Sequence, residues 1–286
     1  MPFPRLIALA LLAAATLPAA PTYREALDLY KARDFPGAKA AFEELVVVEP
    51  ANPKYHYFLG MTAMAQKAFA DAIRHLEQAT VLAPDNADYF AELGNAYGKA
   101  TRNAGMFAQM SLARKCRAAL EKAVALNPDS LPIREGLIEY YRDAPGFLGG
   151  GMDKAYAQAE EIRRRDARRG AIVLAQLYAG EKRYDEAFGV ALDLLQREPE
   201  LYAAHYAMGR LAAESGLRLD AGEKHLHRCL TLTPDKGDPA PAAVHWRLGQ
   251  IAERHENTTS ARIAYETALK LDPNFRAAAD ALAKLK

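Results

Sequence analysis

EELVVVEP, residues 43–50, ends on a proline, and 34 residues later EQATVLAP, residues 77–84, ends on another. The same kind of ending returns as EKAVALNP (121–128), LDLLQREP (192–199), HRCLTLTP (227–234) and ETALKLDP (266–273). Ahead of these lie partner segments: YHYFLGMTAMA (55–65), DYFAELGNAYG (88–98), IREGLIEYY (133–141), AIVLAQLYA (171–179), YAMGRLAAE (206–214) and HWRLGQIAE (245–253). In both kinds of segment apolar and small residues recur every three or four positions, the period of an α-helix. Proline lacks an N–H and its ring clashes with the preceding turn, so each ending stops a helix. The unit is therefore two helices closed by a proline. No segment sustains apolar–polar alternation, so no strands are expected.

Such a unit resembles the tetratricopeptide repeat (TPR). The resemblance rests on Leu59, Gly60, Ala72, Ala79 and Pro84 in the second unit, and on Leu248, Gly249, Ala261, Tyr265, Ala268 and Pro273 in the seventh. Small residues let paired helices approach, and large ones fill the space between units. The resemblance implies an all-α fold, a right-handed α-solenoid of about seven TPR helix pairs plus a C-terminal capping helix. The array spans 21–273, with units ending near Pro50, Pro84, Pro128, Ala167, Pro199, Pro234 and Pro273. The first unit keeps only Ala38, Phe42 and Pro50 clearly, and NFRAAADALAKLK (274–286) reads as the capping helix.

Residues 1–20 stand apart. MPFPR carries one positive charge, LIALALLAAATL is apolar, and PAAPT supplies small residues and prolines. That order is the order of a secretory signal. The run is shorter than the roughly twenty residues that span a bilayer, so no stable span is expected in the mature chain. Export to a bacterial periplasm is therefore expected. Cys116 and Cys229 are the only cysteines, both at small buried helix positions, and read as free core thiols.

The period breaks in two main places. Pro84 to Pro128 is 44 residues, and the excess lies in GKATRNAGMFAQMSLARKC (98–116). A turn at Asn103–Gly105 would make both helices of the third unit about a turn longer than usual. The second excess is RDAPGFLGGGMDK (142–154), and a smaller insertion, DKGDPAPAA (235–243), precedes the seventh unit. The larger two fall between first and second helices of neighbouring units, so residues 99–115 and 143–152 are expected to form a lip. Met106, Phe107, Met110, Phe147 and Leu148 make it apolar. They either pack on one another or line a site. MFAQMSLARKC followed by APGFLGGGMDKA also resembles a type of bacterial TPR protein that mostly lacks an assigned activity.

Chemistry finds little support. The triple glycine lacks the Gly-Lys-Ser/Thr and the preceding strand of a phosphate loop, and Asp153 at a helix N-cap would repel phosphate. His225-Leu-His227 places two histidines on different helix faces, and His255-Glu256 lacks the second histidine of a zinc-protease motif, Thr259 standing there. His56, His205 and His245 share a first-helix position, which suits a packing role. No catalytic residue, metal site or cofactor is expected. RRRDARR (163–169) is the densest basic run, with Glu160 and Glu161 four residues ahead of Arg164 and Arg165 to pair with them. With 37 basic and 36 acidic side chains and a net charge of +1, the chain has no general attraction for nucleic acid.

TPR geometry implies that first helices line a concave groove. The inward positions are Tyr57, Met61 and Met64, then Ala91 and Asn95, Glu135 and Glu139, Gln176, Tyr206 and Arg210, and Trp246 and Gln250. Of these, Tyr57, Met61, Asn95, Gln176, Tyr206, Arg210, Trp246 and Gln250 are the groove candidates. Their aromatic and amide character suits a bound polypeptide. Asn95 and Arg210 are too far apart to form the carboxylate clamp that some TPR domains use. The reading is a non-enzymatic exported scaffold for a protein or peptide. The alternative is a small-molecule-binding or transport-accessory protein with its ligand near the lip.

Overall fold

The computed structural model describes residues 21–285 as helices and turns, with no strand among the described residues. The signal-like segment 1–20 lies outside them. The helices gather into two compact units, one ending at Ala119 and the other starting at Leu120.

The first unit holds α1 (Tyr23–Lys31), α2 (Phe35–Val48), α3 (Pro53–Ala65), α4 (Phe69–Leu82) and α5 (Ala87–Ala100), and α6 (Met106–Leu126) begins in it. Consecutive helices α1 to α5 pack on one another. Local chemistry sets their ends. Thr22 and Glu25 form a reciprocal capping box at α1, and Asn52 and Asn86 accept backbone N–H groups at α3 and α5. The core begins with Ala26, Ala38, Phe42, Tyr55 and Leu59, into which Tyr23 and Phe58 pack. Gly60 lets α3 meet α4 closely, since a Cβ there would lie 2.6 Å from Cγ of Leu76.

The second unit holds α7 (Leu131–Asp143), α8 (Met152–Arg165), α9 (Ala167–Gly180), α10 (Tyr184–Arg197), α11 (Tyr202–Ser215), α12 (Leu219–Cys229), α13 (Pro241–Arg254), α14 (Thr258–Leu271) and α15 (Arg276–Lys284). Each packs on the next. Gly209 and Gly249 repeat the close approach of Gly60, against Leu226 and Tyr265 respectively. The core runs through Phe188, Met208, Leu211, Leu226, Val244 and Ile251. Ala278 of α15 is fully buried, and α15 packs on α14.

The excess in the third repeat is distributed differently from the sequence expectation. α5 has the ordinary 14 residues, a short 3-10 turn follows at Thr101–Asn103, and α6 takes the extra length with 21 residues. The turn at Asn103–Gly105 therefore lengthens one helix and leaves the other unchanged. The turns from first to second helix share a device that the sequence conceals. Arg33, Lys67, Lys182, Arg218 and Glu256 all have φ between 54° and 64°, in the left-handed region. Non-glycine residues enter that region at a steric cost, and here long polar side chains accept it.

Candidate functional site

In the first unit, Tyr57 and Met61 are half-buried on α3, and Asn95 is exposed on α5. Tyr57 stacks on Tyr89 at 4.8 Å between ring centroids, and its edge meets Phe58 at 5.2 Å. Burial, with Glu92 and Asp88 nearby, raises its hydroxyl far above the usual phenol range, so it is a neutral donor. The Asn95 amide donates to Glu92 at 3.3 Å. Met64 is buried and belongs to the core, unlike the inward position expected of it. At the start of α6, Met106 and Phe107 are 70% and 81% exposed, an apolar helix end turned to solvent, while Met110 is half-buried.

In the second unit, α7, α9 and the start of α11 enclose a cleft of about 680 Å³, closed on one side by residues 235–238. Its apolar wall is Ile138, Ile172, Val173 and Leu177, and exposed Gln176 stands on its rim. Arg169 forks onto Glu135 with contacts of 2.5 and 2.7 Å. Arg142 is held by Asp143 at 2.7 and 3.1 Å, and Arg168 pairs with Glu198. Among the described residues, the lining charges whose side chains enter neither a salt bridge nor a hydrogen bond are Glu139, Asp235 and Lys236, while Asp166 and Asp238 accept backbone N–H groups. The wall can thus hold apolar side chains while the Gln176 amide and the free charges meet backbone or polar groups. The sequence marked 235–243 as an insertion, but not its place on the cleft.

Trp246 and Gln250 line a separate cavity of about 530 Å³, between α13 and α15, with Tyr265 and Arg254. The indole is already engaged: the Arg247 guanidinium lies 4.2 Å from its centroid, and Phe275 meets it edge-on at 5.6 Å. Tyr206 and Arg210 are half-buried on α11 and line neither cavity, Tyr206 packing against the core. The second unit therefore sets Gln176 on one cavity, Trp246 and Gln250 on another, and Tyr206 and Arg210 on neither.

The long turn after α7 is built by its glycines. Pro145 leads into a 3-10 turn at Gly146–Leu148, and Gly149 is left-handed at φ 87°. The N-cap of α8 is Gly151; Asp153 is the second residue of the helix, in its first turn, so the capping expected of Asp153 does not occur. Of the two lip candidates in this turn, Phe147 is 73% exposed and Leu148 is buried. The Tyr140 hydroxyl donates to the Leu148 carbonyl at 2.8 Å and ties the turn to α7.

The arginine run is neutralised by neighbours. Glu160 accepts from Arg163, where Arg164 was expected, while Glu161 takes Arg164 and Arg165. Among the described residues, no group of three or more His, Cys, Asp or Glu is arranged to hold a metal. No described helix is long and apolar enough to cross a membrane. Both cysteines are free and buried.

Residues 23–102 and 242–275 each match a sequence profile described as the tetratricopeptide repeat. No curated protein matches the chain. Among solved structures, a tetratricopeptide repeat protein from Parabacteroides merdae is 15% identical, with a TM-score of 0.63 over 91% of this chain and 95% of that one. The C-terminal part of a TPR repeat-containing protein from Cytophaga hutchinsonii is 17% identical, with a TM-score of 0.54 over 91% and 99%. Yeast Tom70 is 18% identical, with a TM-score of 0.65 over 89% of this chain but 51% of its own. These likenesses establish the fold.

Proposed function

We propose that this chain, a protein built on tetratricopeptide repeats, is a non-enzymatic scaffold that holds a protein or peptide against its first helices. The observation that carries the reading is the cleft walled by α7 and α9, with Ile172, Val173 and Gln176 presented together. An apolar wall beside an unengaged amide suits a polypeptide segment, whose side chains fill the wall and whose backbone bonds the amide. The wider form of the same proposal adds Tyr57, Met61 and Asn95 on the first helices of the first unit, and Tyr206, Arg210, Trp246 and Gln250 on those of the second.

Residues 1–20 act as an export signal in this reading, which puts the scaffold outside the cytoplasm, in a bacterial periplasm. Intact mass of the protein from its native compartment tests this: loss of about twenty residues supports it, and a full-length chain rejects it.

A photo-crosslinker at position 176 tests the cleft, in full-length protein in its own cells. A polypeptide adduct there, lost in the Val173→Asp variant, supports the scaffold. Equal adducts in a folded Val173→Asp variant place the contact elsewhere. The second reading, a small ligand at an overlong turn, draws on the exposure of Met106 and Phe107 in one turn and of Phe147 in the other. A small molecule retained in native mass spectra and released by Phe107→Ser would favour it.

A further inference from the structure

We propose that the buried His56–His75 pair makes the α3–α4 hairpin open in acid, because every ring nitrogen is already committed in the neutral state. The reasoning starts from what each partner can do. The Pro50 carbonyl can only accept, so His56 Nε2, 3.0 Å away, carries a proton. The Arg74 guanidinium can only donate, so His75 Nε2, 3.0 Å from it, is bare. His75 must then carry its proton on Nδ1 and donate to Nδ1 of His56, 3.5 Å away. Arg74, His75, His56 and Pro50 form one directed chain.

An added proton has two places to go, and both conflict. On His75 Nε2 it faces the N–H of Arg74; on His56 Nδ1 it faces the N–H of His75. The first makes a cation directly beside the guanidinium, and both put a charge on rings only 8% and 9% exposed. The charged groups acting on His75 include Arg74 and Asp71 of α4 and Lys39 of α2. On α5, which packs on α4, the carboxylates Asp88 and Glu92 act on Tyr57 instead. Burial first, then Arg74 and His56, pushes His75 down to about 4 from 6.5.

The second unit contains the same construction with one difference. His205 Nε2 lies 2.8 Å from the Pro199 carbonyl, and its Nδ1 lies 2.8 Å from Nδ1 of His225. His225 Nε2 has no hydrogen-bond partner among the described residues, and its ring is half-buried. One proton can be added at that atom without breaking any bond. Burial first, then His205, still lowers the affinity of His225 for that proton, so α11–α12 should weaken in acid, but less than α3–α4, where a hydrogen bond must also break.

The sign follows from linkage. The unfolded histidines protonate near 6.5, and His75 in the hairpin does not until about 4. Stability is full above 6.5 and is lost as the pH falls through that window. Opening should expose Tyr57 and Met61 from α3; only this consequence for binding rests on the proposed scaffold role.

Hydrogen exchange of the full chain from pH 7.5 to 4, corrected for intrinsic rates, tests the device without a partner. Protection of α3–α4 should fall by up to about tenfold per pH unit below 6.5, while α11–α12 changes less. Nitrogen chemical shifts should show His56 protonated on Nε2 and His75 on Nδ1 until the hairpin opens. Arg74 is 65% exposed, so Arg74→Ala keeps the fold, frees His75 Nε2 and moves opening to lower pH. Equal pH dependence in both hairpins, a protonated His75 within an intact hairpin at pH 6, or an unchanged profile in Arg74→Ala would each overturn the proposal. Loss of partner capture at pH 7.5 would bear on the scaffold reading alone.

Discussion

Arg169 reaches Glu135 across 34 residues, one whole repeat, and grips it through two nitrogens at 2.5 and 2.7 Å. The pair joins the start of α9 to α7 at the edge of the cleft. Hydrogen bonding by Glu135 raises the guanidinium's affinity for its proton, as expected of a bidentate pair. Their side chains are 40% and 33% exposed, so solvent screens much of the attraction. A double-mutant cycle with Glu135→Gln and Arg169→Met should give a coupling of about 0.5–1 kcal/mol in urea unfolding, declining with salt. A coupling of zero would mean that the fork forms without joining the helices.

Gly150 and Gly146 lie in the same turn but should respond oppositely to alanine. A Cβ on Gly150 would fall 1.8 Å from the Ala144 carbonyl oxygen, while one on Gly146 meets nothing within 4 Å. Relief at Gly150 requires the backbone to move. Gly150→Ala should destabilise by about 1–3 kcal/mol, and Gly146→Ala should lie within roughly 0.5 kcal/mol of the parent. Chemical denaturation of both variants checks the contrast; equal costs would show that the turn is less closely built than it looks.

The fold was legible because its determinants are local and repeated. Proline ends one second helix after another, and Gly60, Gly209 and Gly249 sit at the same kind of close approach in their first helices. One tie recurs in successive repeats. The Tyr97 hydroxyl donates to Glu77 and that of Tyr141 to Glu121, each 20 residues earlier. The site was less legible because it depends on orientation within irregular segments. Gln176 was placed by the period, but residues 235–238 reach the cleft through a loop that no repeat position describes. Leu148 and Phe147 are adjacent and both apolar, so their order in the sequence does not tell which one the turn buries. Lys67 and Arg33 likewise occupy a left-handed position where a glycine would have announced the turn.

That division between Phe147 and Leu148 sets a third expectation. Leu148 is buried, and truncation removes apolar contacts and leaves a void. Leu148→Ala should cost about 2–4 kcal/mol, and Phe147→Ala less than roughly 0.5 kcal/mol. If Phe147→Ala abolishes binding to a crosslinked partner while stability holds, the exposed ring is a contact. If both variants cost the same, the inward and outward assignment is wrong.

Cys116 and Cys229 report on opening of their surroundings, one in each compact unit. Burial pushes the Cys116 thiol up to about 11 and that of Cys229 to about 12, from 9. The thiol of Cys229 also points at the Tyr202 carbonyl, 3.6 Å away. Neither is then an accessible thiolate at pH 8, so an aromatic disulfide reagent should label them only through unfolding. The linkage has a definite sign. Their neutral forms are favoured in the fold, so the associated stability is complete below pH 9. It is lost as pH rises from 9 toward 11 for Cys116 and toward 12 for Cys229. Labelling in rising urea should track the loss of helical circular dichroism, and Cys→Ala variants should show a smaller alkaline loss of stability. Rapid labelling of the native chain at pH 8 would instead show that these thiols meet solvent without unfolding.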